Sequence, residues 1–205
     1  MLFRSAAADV DGDGRMDLFF TTVYETASFN VRNQPTLFLQ TGEWQWQDRT
    51  TVTGLEGLPA TYQAAWADFD QDGDPDLVTA GKLWINQRPK GNNWLSVMLR
   101  GDGTWASTNA TGAQVRLQLG SQTLTRHVEA GTGQGNQNEA ALLFGLAVLL
   151  TELAARILSL QRPDLIAARC CAPQKTLASG VPMAKIIFGA HPEIGRARLN
   201  SSHRT

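Results

Sequence analysis

Apolar and polar residues alternate with a period of two over several short stretches of this chain. In NWLSVMLRG, Leu95, Val97 and Leu99 fall on one side of an extended chain and Trp94, Ser96 and Met98 on the other. The first set is predicted to face a core. ATGAQVRLQLG places Val115, Leu117 and Leu119 on one face, and SQTLTRHVEAG follows a Gly-Ser turn, which predicts a hairpin. GTGQGNQNEAALLFGL then reads as a glycine-rich loop and a short apolar strand. Nearer the N-terminus, LFFTTVY and LVTAGKLWIN are rich in β-branched and aromatic residues and so strand-like. One stretch reads differently: AVLLTELAARILSLQRPDL is helix-like and ended by Pro163. The remainder, from Ala168 on, shows no sustained pattern. The pattern predicts a mostly β fold with a tail that is helical or disordered.

Composition divides the chain at one place. Residues 1–146 carry 16 acidic and 10 basic side chains, a balance of −6, whereas residues 147–205 carry 3 and 8, a balance of +5. All six tryptophans lie before Leu146, and both cysteines lie after it. The joint shift predicts a boundary there. Cys170 and Cys171 are adjacent, without a C-x-x-C pair, and are expected to carry no chemistry. MLFRSAAADVDGDG lacks the apolar stretch of a signal peptide, and the longest apolar run, Ala140 to Leu150, is too short to span a bilayer.

The acidic residues are concentrated in two loops. DVDGDGRMD (Asp9 to Asp17) and DFDQDGDPD (Asp68 to Asp76) share one spacing, 59 positions apart. Positions 1, 3, 5 and 9 are Asp9, Asp11, Asp13 and Asp17 in the first, and Asp68, Asp70, Asp72 and Asp76 in the second. Gly14 and Gly73 occupy position 6. Bare carboxylates this close repel, so the pattern calls for a cation. Hard oxygen donors at this density suit Ca²⁺, and Mg²⁺ less well because it keeps several waters. The glycine allows the turn that would point the next main-chain carbonyl inward, at Arg15 or Asp74. An EF-hand would need a bidentate Glu at position 12 between helices. Position 12 is Phe20 or Thr79, strand-like segments follow, and Pro75 lacks the N–H of a paired EF-hand loop. Hairpin loops between strands are therefore expected, with the ninth-position Asp doing the work of the missing Glu.

The pattern D-x-D-x-D-G-x-x-D-L resembles the FG-GAP/VCBS repeat of integrin-type β-propellers. TLFLQTGEWQWQDRTTVTGL (Thr36 to Leu55) is similar to the rest of that unit, and KLWINQ (Lys82 to Gln87) to the next copy of its Leu-Phe-x-Asn strand. The resemblance implies four-stranded blades that cannot bury their faces alone, with structural Ca²⁺ in each loop. Behind it, NNWLSVML, GAQV, VEAGTG and FGL resemble, in order, pieces of the ASPIC/UnbV domain, as in cartilage-acidic-protein-like proteins. The GQGNQ loop departs from that family's Gly-Tyr-x-Ser-Gln, which removes support for a binding role there. The expected organisation is FG-GAP/VCBS repeats over 1–91, an ASPIC/UnbV-like β domain over 92–146, and a non-matching tail over 147–205. EIGRARLNSSH resembles a translated vector remnant, so the natural reading frame is expected to be lost just after Leu146. With under two blades present, the chain is expected to be part of a longer exported protein.

Other sites carry less. His127 lacks a serine or cysteine motif around it, and G-x-S-x-G is absent. GTGQGNQ lacks the spacing and the preceding strand of a dinucleotide loop. Trp44, Trp46 and Trp66 are expected to pack between blades, with a sugar-stacking platform as the alternative. Asn109 and Asn200 match glycosylation sequons. No basic, aromatic-interleaved patch points to nucleic acid. The expected function is a non-enzymatic, calcium-binding extracellular, cell-surface or periplasmic module that contacts an unidentified protein or glycan without membrane insertion. The alternatives are the accessory region of a secreted enzyme and a calcium sensor.

Overall fold

The computed structural model describes residues 3–146 apart from 27, 90–92, 102, 104–106, 120–121 and 134. It also describes the backbone of strands at 155–160, 166–171 and 184–186. The regular structure among the described residues is strand, apart from one short 3-10 turn at Ser28–Asn30. The chain divides into two compact units, Met1–Lys90 with Gly131–Glu139, and Gly91–Ala130 with Ala140–Thr205.

The first unit holds two antiparallel sheets. One runs in the order β1 (Phe3–Ala8), β2 (Asp17–Thr22), β3 (Thr36–Gly42) and β4 (Gln45–Asp48). The other comprises β5 (Ala64–Ala67), β6 (Asp76–Thr79) and β7 (Lys82–Trp84). Their first hairpins have the same register: Ala8 faces Asp17 in one, and Ala67 faces Asp76 in the other. The third strands also correspond, because Leu18 pairs with Phe38 and Leu77 with Trp84. The 59-residue repeat stops there. Residues 23–35 connect β2 to β3, whereas only residues 80–81 connect β6 to β7.

Strand β2 shows why these segments are strands. Asp17, Phe19 and Thr21 are buried while Leu18 and Phe20 are half-buried, so alternate residues feed one face. Phe19 meets Trp66 of the other sheet edge to face, with centroids 6.3 Å apart at 83°. Around that pair, Ala6, Leu37, Leu55, Leu58, Ala64 and Leu77 complete one core shared by both sheets. The expectation that Trp66 is interior holds. Trp44 and Trp46 do not pack between the sheets: Trp44 is 85 % exposed in a turn with φ 56°, and Trp46 is 38 % exposed. The reason is position: Trp44 lies in the turn before β4, and every residue of β4, Trp46 included, is exposed at the outer end of its sheet.

Residues 131–139 group with the first unit. Hydrogen bonds explain it. Asn138 Oδ1 accepts from Trp66 N at 3.0 Å, and its Nδ2 donates to Ala7 O at 3.1 Å. One amide thus satisfies backbone groups of β1 and β5. Glu139 N donates to Trp66 O at 3.0 Å. β1 and β5 are edge strands of their sheets, so these backbone groups have no ladder partner on that side.

The second unit holds the strands that the alternating pattern predicted. β8 (Trp94–Leu99) lies between β11 (Leu142–Gly145) and β13 (Ile166–Cys171). β9 (Gln114–Leu119) lies between β10 (Gln122–His127) and β12 (Ala155–Leu160), and β14 (Ala184–Ile186) pairs with β12 in parallel. Leu95, Val97, Leu99, Val115, Leu117, Leu124, Leu142 and Phe144 are buried in one core. The helix-like stretch that ends at Pro163 contains β12 instead of a helix, and its first part, 147–154, lies outside the described residues. β12 runs antiparallel along β9, so cross-strand hydrogen bonds on an open edge override the local preference.

The inter-sheet contact is testable. Replacing Phe19 with Ala is expected to destabilise the chain by about 3–5 kcal/mol, the usual cost of deleting a fully buried aromatic ring. Urea unfolding followed by tryptophan fluorescence measures it. A loss under about 1 kcal/mol would show that the two sheets do not depend on this ring.

Candidate metal centre

Each aspartate loop closes a hairpin whose strands bring its two ends together. Asp9 follows β1 and Asp17 opens β2; Asp68 follows β5 and Asp76 opens β6. Position-6 glycines adopt φ of 92° at Gly14 and 91° at Gly73, the left-handed region that glycine enters without strain. The loops then fold onto their own carboxylates. Gly14 N donates to Asp9 Oδ2 at 3.0 Å, and Gly73 N donates to Asp68 Oδ2 at 3.0 Å. Asp13 N donates to Asp11 Oδ1 at 3.2 Å in the first loop, and Asp72 N to Asp68 Oδ1 at 3.0 Å in the second.

The ninth position has a second job that the spacing did not reveal. Asp17 Oδ2 accepts from Val10 N at 2.7 Å, and its Oδ1 accepts from Gln40 N at 2.9 Å. Asp76 repeats this with Phe69 N at 2.8 Å and Asn86 N at 2.7 Å. Each carboxylate therefore fastens its own loop to the backbone at or just beyond the third strand of its sheet. Both are buried, at 1 % and 0 % exposure. Charge-assisted bonds to backbone N–H groups repay part of that burial.

Carboxylate oxygens of Asp9, Asp11 and Asp17 lie within 4.8 Å of one another, as do those of Asp68, Asp70 and Asp76. Oxygens so spaced can share a centre about 2.3–2.6 Å from each, the reach of Ca²⁺. The all-oxygen donor set fits a hard cation, so both clusters could hold a metal ion. Asp13 and Asp72 stand outside these triplets. Asp13 accepts from Arg15 N at 2.8 Å and pairs with the Arg15 guanidinium at 2.5 Å, and Asp72 accepts from Asp74 N at 3.0 Å. The Arg15 side chain also donates to Gln40 O at 2.9 Å, and the Asp74 carboxylate pairs with Arg88.

Burial disfavours the charged forms. Desolvation, reinforced by Asp11 and Asp9, pushes Asp17 up to about 7 against the lowering effect of its bonds from Gln40 and Val10. Desolvation also leads the upward shifts at Asp11, Asp68 and Asp70, and neighbouring carboxylates add to each. Glu139, which spacing within the loops could not identify, accepts from Asp68 N at 3.0 Å. It too is raised, by burial first and then by Asp68 and Asp76.

The family model described as FG-GAP-like repeat matches residues 9–79, from the first carboxylate of the first loop to the end of β6. A second, described as SBF-like CPA transporter family, matches residues 127–200. Within that range the described residues are strands and loop, and no described helix is long and apolar enough to cross a membrane. No curated protein matches the chain significantly.

Two outcomes follow from this geometry. Asp17 takes up protons more readily folded than unfolded, so its contribution to ion-free stability is full below about pH 4 and is lost as pH rises through about 7. In chelator, the melting temperature is therefore expected to fall across that window, and added divalent cation is expected to oppose the fall, since it competes with the proton. A flat or rising chelator profile would refute the assignment. Asp76→Ala leaves Phe69 N and Asn86 N, both part-buried, without their acceptor and is expected to cost about 1–3 kcal/mol in all even in chelator. Denaturant melts of the ion-free protein test this, and a cost confined to cation-loaded protein would contradict it.

Proposed function

We propose that this chain is a Ca²⁺-stabilised, non-enzymatic repeat module of an extracellular, cell-surface or periplasmic protein, serving protein or glycan contact. The observation that carries the reading is the pair of hairpin loops. At matching register, each converges three carboxylates into a space one Ca²⁺ would fill. Asp9, Asp11 and Asp17 would hold one ion, and Asp68, Asp70 and Asp76 the other, with Asp13, Asp72 and the main chain at Arg15 and Asp74 close by. A bound Ca²⁺ supplies positive charge that offsets the mutual repulsion and desolvation of these carboxylates. The match to the FG-GAP-like repeat supports the compartment, since such repeats are typical of proteins outside the cytoplasm.

A binding module accounts for the perturbed carboxylates without catalysis, because Asp11, Asp17, Asp68 and Asp70 belong to the two loops and Glu139 is bonded to Asp68 beside the second. Contact area is supplied by exposed aromatic residues of the first sheet and its connections: Tyr24, Phe29 and Trp44. We read residues 92–146 as ASPIC/UnbV-like. The order of β8, the β9–β10 hairpin and β11 supports this, as do the short sequence pieces they carry.

Calcium titration by calorimetry, with thermal melts in calcium and in chelator, tests the reading on the full chain. Two bound ions and a melting temperature raised by calcium are expected. At a hundredfold excess over the dissociation constant, each ion adds about 2.7 kcal/mol. Asp11→Ala and Asp70→Ala are each expected to remove one ion and its share of that gain. Identical melting with and without chelator would refute structural calcium. A large calcium-driven exposure of apolar surface would favour a sensor instead.

A further inference from the structure

The segment after β7 reaches both aspartate loops. Asn86 N donates to Asp76 Oδ1 at 2.7 Å in the second loop, while its Nδ2 donates to Val10 O of the first at 2.9 Å and to Pro75 O at 3.4 Å. Two residues on, the Arg88 guanidinium donates through Nη1 to Asp11 O and pairs through Nη2 with the Asp74 carboxylate. The Arg88 side chain is mostly buried. Positions 2 and 3 of the first loop are thus tied to positions 7, 8 and 9 of the second.

The first loop has a feature that fits the same arrangement. Position 4 is Gly12 there and Gln71 in the second loop, and both adopt positive φ, 68° and 60°. The backbone conformation alone therefore does not require glycine. A Cβ at Gly12 would lie 2.6 Å from Arg88 Nη1 and 2.8 Å from Nη2. Glycine at this position leaves the room that the guanidinium occupies.

We propose, resting on the reading of both loops as Ca²⁺ sites, that Arg88 and Asn86 couple the two, so that a cation in one loop strengthens cation binding in the other. The mechanism is shared ordering. A cation in the first loop fixes Val10 and Asp11, whose carbonyls anchor Asn86 and Arg88. Those side chains in turn hold Asp74, Pro75 and Asp76. The first ion to bind orders groups that the second would otherwise have to order, and the relation is reciprocal. Arg88 is a positioning residue in this scheme, since it brings no oxygen to either ion.

Calorimetric calcium titration of the full chain tests the coupling. Asp70→Asn leaves only the first loop competent, and Asp11→Asn only the second. The product of the two wild-type affinities is expected to exceed the product of these single-loop affinities by about fivefold or more. Introducing Arg88→Gln throughout is expected to lower that ratio by about twofold or more, the share that stays being carried by Asn86. Gly12→Gln, which places the second loop's own residue in the guanidinium's space and alters no ligand, is expected to do the same and serves if Arg88→Gln folds poorly. A wild-type ratio within about twofold of one, or a ratio that Arg88→Gln or Gly12→Gln leaves unchanged, overturns the coupling while leaving both loops as calcium sites. Wild-type protein that binds no calcium removes the calcium reading and the coupling together.

Discussion

The buried carboxylate at the ninth position of each loop, Asp17 or Asp76, is the interaction on which the first unit depends. It accepts from the loop that precedes it with one oxygen and from the backbone at or just beyond the third strand with the other. Hairpin, loop and third strand are therefore held at one point. The same charge is expensive to bury, as the upward shift of Asp17 shows. Structure and electrostatics pull in opposite directions here. A hard cation seated among the neighbouring carboxylates relieves the conflict without disturbing the hydrogen bonds, because each carboxylate oxygen has a further lone pair to offer.

Around these points the apolar contacts are modest in number and shared. Phe19 and Trp66 come from different sheets and meet at the centre of one core. Neither sheet encloses its own hydrophobic face, the expected condition of a propeller blade. The segment 131–139 adds polar closure, with Asn138 bonding backbone groups of both first strands and Glu139 bonding Asp68 beside the second loop. The unit is held by one apolar core and by polar fasteners at its loops and strand edges.

The aspartate loops were legible because metal-ligand spacing is local. The D-x-D-x-D-G-x-x-D pattern specifies which carboxylates approach one another within nine residues, and the turn glycines specify how. The strands Leu95–Leu99 and Val115–Leu117 were legible for a similar reason, since alternation reports which face is buried. Trp44 and Trp46 were misread. An aromatic residue in a strand pattern looks the same whether its strand is central or outermost; Trp46 lies on the outermost β4 and Trp44 in the turn before it. The helix-like tail failed for a related reason: the edge of β9, distant in sequence, sets the conformation of Ala155–Leu160.

Sequence by itself determined the local chemistry: two oxygen-rich loops, hairpins on either side of them, and alternating strands with an identifiable buried face. Tertiary structure alone decided which distant groups complete those loops. Arg88 and Glu139 carry no motif linking them to Asp11, Asp74 or Asp68, and the Leu-Phe-x-Asn pattern that contains Asn86 does not say that its side chain reaches the first loop. Spacing rules extend only as far as one turn or hairpin. Contacts across 70 or more residues arise when the sheets share a core, and that depends on the whole fold.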